Sequence, residues 1–184
     1  MIRTKKNLKN VLKQEKSLYY QYDRKDLLIN SITSDGRLLI WKFIKLLRIC
    51  EYHYNNKNGS LVHSLLYLYY RRRKNKWGLK LGIDIWENSF DKGLMIYHPG
   101  NIIINGNAKI GRNCRLHGNN CIGNDGKTIK CPVIGDNVDI GIGVSIIGDI
   151  TICDNVVIGA GAVVIDSITE PGTYVGVPAK KVGI

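Results

Sequence analysis

The sequence predicts a mainly β protein, a parallel β-helix of hexapeptide repeats preceded by an α-helical region, and three observations predict it. First, branched aliphatic residues return every six positions as Ile104, Ile110, Leu116, Ile122, Ile134, Ile140, Ile146, Ile152, Ile158 and Val164, with one gap at Thr128. A helix would repeat near 3.6 and a flat strand near 2, so a coil with one short straight run per hexad and three runs per turn fits better. Second, Gly111, Gly123, Gly135, Gly141 and Gly159 follow these residues, where a corner is expected to need little side chain. Third, Cys114, Val138, Val144, Ile150, Val156 and Ala162 stand four places after the aliphatic position, small or β-branched groups suited to a narrow interior.

Charge divides the 184 residues at the same boundary. Residues 1–80 hold 19 Lys plus Arg against 5 Asp plus Glu, and the remainder 8 against 10, so the net charge of +12 belongs to the N-terminal region. The expected organisation is a basic helical region over 1–76, a coil over 77–170 and a closing segment over 171–184.

Within residues 1–34, Leu8, Val11 and Leu12 form one apolar stripe and residues 27–32 another, predicting one or two short helices. A clearer helix is predicted over 38–53, on Leu38, Trp41, Ile44, Leu47 and Ile49, and ends at the turn signal of 55–59. Another is predicted over 61–73, with Leu61, Leu65, Leu66, Leu68 and Tyr69 on a wide face assigned to packing. It ends in Arg71, Arg72, Arg73 and Lys74, a run that a helix C-terminus favours electrostatically and that also suits an anionic membrane or a polyanionic glycan. Gly78 and Gly82 are expected to interrupt the helix, and Ile83 with Ile85 to alternate as a first strand. Residues 124–131 should leave the coil as a loop, and 171–184 should lie across its last turns.

Several function classes recede. No finger, helix-turn-helix or RNA-binding aromatic pattern accompanies the basic helices, so nucleic acid is not an expected partner. Five scattered cysteines lack ligand spacing and read as small apolar fillers in a reducing, cytoplasmic setting. No metal site is expected, since His98 and His117 lack an HxH or HExxH companion. Neither a signal peptide nor a run of about 20 apolar residues is visible. The expected location is cytoplasmic, with the basic helices able to meet the inner face of a membrane.

The chemistry centres on the two histidines in the repeat. His98 lies one hexad before Ile104, and His117 takes a position that neighbouring hexads give to glycine. A rigid coil holding an imidazole suits proton transfer near neutral pH.

Residues 77–184 resemble the left-handed β-helix domain of bacterial serine acetyltransferases and of related acyltransferases that decorate capsular and other surface glycans. The likeness rests on Asp84 with Ile85, on His98, on the loop 123–127, on VIGAGAVV at 157–164 and on GVPAKKVG at 176–183. It implies a left-handed, homotrimeric coil that binds acetyl-CoA between neighbouring subunits, with each active site shared. It further implies His98 as the base that takes the acceptor's proton and Asp84 as its partner, after a one-residue deletion. It places Gly141, Ile142, Gly159 and Ala160 along the pantetheine arm, and Lys180 with Lys181 near the CoA phosphates or adenine.

Two departures bear on the acceptor. The second active-site histidine of the serine enzyme would fall on Cys131, between Lys130 and Pro132, and His117 stands where that enzyme has glutamine. The resemblance therefore implies an O-acetyltransferase acting on a glycan hydroxyl, with Asn124, Lys130 and Cys131 on the acceptor side and His117 as a further catalytic or binding group. A serine acetyltransferase and a catalytically silent trimeric scaffold are the alternatives.

Overall fold

The computed structural model describes residues 1–20, 29, 32, 33 and 35–183. Of the two short stripes expected near the N-terminus, most of residues 27–32 lies outside the described residues. Helix α1, Lys5–Tyr19, begins where the Thr4 side chain accepts from the Asn7 amide. Helix α2, Gly36–Asn56, is capped by Asp35, and α3, Leu61–Leu81, by Ser60.

Gly78 does not end α3. The helix runs through it, and the missing side chain lets the helix backbone approach the Ile83 carbonyl. The stop comes at Gly82, whose φ of 66° is the left-handed cap conformation that glycine adopts at least cost.

Fourteen strands, β1 to β14 in chain order, follow among the described residues, in three mainly parallel sheets. Sheet A stacks β1 Ile83–Ile85, β3 Ile102–Ile104, β6 Cys121–Gly123, β9 Ser145–Ile147 and β12 Val163–Val164. Sheet B stacks β4 Lys109–Ile110, β7 Val133–Ile134 and β10 Thr151–Ile152. Sheet C stacks β2 Met95–Ile96, β5 Arg115–Leu116, β8 Asp139–Ile140, β11 Val156–Ile158 and β13 Gly172–Val175, and ends with the antiparallel β14 Lys180–Val182. This is the parallel β-helix that the hexads predict, in the left-handed form that the resemblance implies.

Register explains the period. Ile104 pairs with Ile122 one turn of three hexads later, whereas Ile122 pairs with Ile146 a further hexad away, because residues 124–130 loop out. Asp125 holds the loop by accepting from the amides of Lys127 and Thr128.

The inward residues form one core: the hexad aliphatics and the smaller Cys114, Val138, Val144, Val156 and Ala162 are all buried. The glycines at the second hexad position turn out not to make the corner's left-handed step. That step falls two residues later, on Asn113, Asn137, Asn155, Gly143 and Gly161. Gly141 is required for close stacking instead: a Cβ there would lie 2.7 Å from the Ala160 amide nitrogen and 2.8 Å from the Ile158 carbonyl oxygen.

The helices grip the first coil through buried charge. Arg48 reaches Glu15 at 2.7 Å and Glu51 at 2.9 Å, and donates to the carbonyls of Phe90 and Asp91. Glu15 also accepts from the Gly93 amide, and the Tyr19 hydroxyl sits between the Leu94 carbonyl and the Ile96 amide. Burial works against the Arg48 charge, but Glu51 and Glu15 outweigh it and hold the guanidinium above its ordinary pKa. Lys74 likewise joins Glu87 at 2.8 Å and donates to the Ile85 carbonyl, fixing α3 to β1. The coil segment that carries His98 is thereby anchored from α1, α2 and α3.

The packing of α3 departs from expectation in one respect. Tyr67 is buried, but Leu61, Leu65, Leu66, Leu68 and Tyr69, expected to pack, are exposed.

Candidate functional site

The outer face of sheet C gathers most of the candidate residues into two neighbouring rows. In the first, main-chain bonds continue the ladder past the inward aliphatics, from Tyr97 N to Leu116 O, His117 N to Ile140 O, Gly141 N to Ile158 O and Gly159 N to Tyr174 O. Tyr97, His117, Gly141, Gly159 and Val175 therefore lie side by side, and Lys180 pairs with Val175 at the end of the row.

The second row begins one residue further on, at the edge where sheet C turns toward sheet A. His98 is exposed there, with its Cβ 3.4 Å from where a Cβ on Gly118 would stand. Ile142 and Ala160 continue this row, linked through the bonds from Gly143 N to Gly118 O and Gly161 N to Ile142 O. With coils about 4.8 Å apart, the row from His98 to Ala160 spans roughly 14 Å.

His117 is the better-held imidazole. Its Nε2 lies 2.8 Å from Asp139 Oδ1, and the Tyr97 ring stacks on it with centroids 4.5 Å apart. Arg115 Nη1 approaches the other Asp139 oxygen at 3.4 Å. Asp139 and Tyr97 were not among the residues singled out from the sequence. The legible signal was arithmetic: one looped-out hexad added to a turn of three sets Gly141 opposite His117 and puts Asp139 two residues earlier, on the same face.

Other candidates stand apart. Asp84 projects from β1 on the outer face of sheet A, and among the described residues no hydrogen bond or ion pair joins it to His98. It shares with Asn124, Trp86 and Tyr67 a groove of about 660 Å³ between that sheet and the helices. Lys130 is exposed and paired with Asp149 at 2.6 Å. Cys131 belongs to the hydrophobic core, and burial pushes its thiol up. Lys180 lies 3.7 Å from Asp166, whereas Lys181 bonds Glu170 at 2.8 Å, which holds the amine above its ordinary range.

Among the described residues, no group of three or more His, Cys, Asp or Glu is arranged to hold a metal ion.

A three-sided left-handed coil of hexads defines the class: a hexapeptide-repeat β-helix protein. Within that class the chain is homologous to serine acetyltransferases and to WcaB-type acetyltransferases. Mitochondrial serine acetyltransferase 3 of Arabidopsis thaliana is 39% identical over 93 residues, 50% of this chain and 24% of its own length. The putative colanic acid biosynthesis acetyltransferase WcaB of Escherichia coli K12 is 40% identical over 86 residues, 46% of this chain and 53% of its own. The chain thus spans from about a quarter to about half of the length of these curated relatives. The crystal structure of Neisseria gonorrhoeae serine acetyltransferase superposes with a TM-score of 0.75 at 27% identity, covering 97% of this chain and 68% of that one. No family model matches the sequence.

Proposed function

We infer that the protein is an acetyl-CoA-dependent O-acetyltransferase, and the observation that carries this reading is the shared edge of His98, His117 and the Gly141 to Ala160 strip. Gly141 and Gly159 offer no side chain and Ile142 is exposed and apolar, a surface suited to a thin arm of alternating amides and methylenes. Lys180, at the far end of the same row, is the cation for the CoA phosphates, with Lys181 beside it.

In the reaction, the acceptor hydroxyl oxygen attacks the thioester carbonyl carbon while His98 takes its proton. The C–S bond then breaks, and the leaving thiolate collects the proton from the imidazolium. The resemblance names Asp84 as the charge partner of His98, but among the described residues no hydrogen bond or ion pair joins the two, so the proton transfer is assigned to His98 alone. His117, held by Asp139 and Tyr97, orients the acceptor. A homotrimer, with a neighbouring coil supplying the second wall of each site, completes the arrangement, and the basic helical region over 1–76 acts as an appendage to the coil over 77–170.

Serine is the acceptor that the comparisons support better, since an Arabidopsis relative and the superposed crystal structure are serine acetyltransferases. A saccharide hydroxyl is the second reading. WcaB favours it, and so does Cys131, which occupies the core where the serine enzyme's second histidine would be aligned.

The test is CoA thiol release from acetyl-CoA with L-serine, free sugars or glycan fragments as acceptors, after subtracting hydrolysis without acceptor. Release that depends on serine supports the first reading, and release that depends on sugar supports the second. A folded protein that releases no thiol with any acceptor overturns both and leaves a silent scaffold.

A further inference from the structure

Helix α3 presents to solvent a stripe that the fold leaves without a partner. Leu61, Leu65, Leu68, Arg72, Lys76 and Leu79 recur at steps of three and four and so stand along one side of the helix, over roughly 27 Å. The four leucines are 76%, 59%, 60% and 86% exposed. Val62 and Tyr69 widen the apolar half, and Arg73 and Lys80 the charged half, all of them exposed. The opposite side, with Tyr67, Lys74 and Gly78, is buried.

Charge says what covers this face. α3 contains no Asp or Glu, and among the described residues the only ion pair formed by its cations is the buried one between Lys74 and Glu87. The leucines call for an apolar partner and the cations for an anionic one, and both lie on one line. The geometry points to peripheral docking of α3, flat along its axis, on an anionic lipid surface, where acyl chains and phosphates are offered together.

Other occupants satisfy half of the stripe. A second copy set face to face would cover the leucines but offer Arg72 and Lys76 no anion, since α3 carries none. A polyanionic glycan would meet the cations and leave the leucines in water. Among the described residues no helix is long and apolar enough to cross a membrane, so this is attachment to a surface. The inference does not rest on the proposed reaction.

Sedimentation of the whole protein with vesicles tests it, using phosphatidylcholine alone and phosphatidylcholine mixed with phosphatidylglycerol. Binding to the mixed vesicles is expected, at least about tenfold above phosphatidylcholine alone and weakened by salt. The double variant Arg72→Ala/Lys76→Ala should lose roughly twentyfold on the mixed vesicles. Leu65→Ser/Leu68→Ser should lose roughly tenfold while its far-ultraviolet circular dichroism stays unchanged. Failure to sediment with the mixed vesicles would overturn the inference, as would undiminished binding by the leucine variant. Dissociation of an oligomer by that variant, seen by light scattering with vesicle binding intact, would assign the face to a contact between copies instead.

Discussion

The coil and the helical region are stabilised by opposite means. In the coil each residue's partner sits one turn away at a fixed register, small groups alternate with Ile and Val inside, and charge is confined to the outside. In the helical region, polar groups far apart in sequence meet in the interior: Glu15 with Arg48 and Gly93, Tyr19 with Leu94 and Ile96, Lys74 with Glu87. A repeat tolerates local change because its neighbours re-create the same contact. A buried charge cluster does not, since removing one member strands the others.

The contrast is broken most severely at Arg48. Arg48→Met leaves Glu15 and Glu51 buried without their cation and should cost about 3–5 kcal/mol, measured by urea denaturation. The Gly93 and Leu94 amides on Glu15 and the Asn88 amide on Glu51 would remain as their only described donors. Loss of less than about 1 kcal/mol would mean that apolar packing, rather than the cluster, attaches the helices.

Glu87 sharpens the contrast through pH. Burial opposes its charge, but Lys74 outweighs burial, so its folded pKa lies below the ordinary glutamate value. For a carboxylate depressed in this way, the stabilisation is full above the unfolded pKa and is lost as pH falls through the folded one. Glu87→Gln should therefore cost about 1–3 kcal/mol near neutrality. The gap between the two proteins should close as pH drops below the glutamate range, and a gap independent of pH would contradict the assignment.

Gly141 probes the coil itself. Gly141→Val forces side-chain atoms against the Ala160 amide and Ile158 carbonyl of the next turn, and should cost about 1–3 kcal/mol. It should also raise the KM for acetyl-CoA more than it lowers kcat if this edge holds the pantetheine arm. An unchanged KM in the folded variant would move the cofactor elsewhere.

Legibility follows the same division. The six-residue period forces the three-run turn and the looped-out hexad, because a coil repeats only if its inward residues do. The hexad pattern puts glycine at the bend, whereas Asn113, Asn137 and Asn155 make it and Gly141 serves the contact between turns. The helix expected over 61–73 runs on through Gly78 to Leu81, since helix propensity cannot register that a β-strand carbonyl will press against that glycine. Within the site, the step from Gly141 to Gly159 follows from counting hexads, and the step from His117 to Gly141 needs the looped-out hexad added. The bond from His117 to Asp139 required the loop length as well, and the Arg48 cluster left no periodic trace at all.

The claim on which the functional reading turns is that His98 at the coil edge takes the acceptor's proton. The direct measurement is steady-state kinetics of His98→Ala, checked for folding, with the acceptor that supports thiol release. The account predicts kcat lowered by about 10²- to 10⁴-fold with the KM for acetyl-CoA little changed. Turnover within a few-fold of the unaltered protein would contradict it.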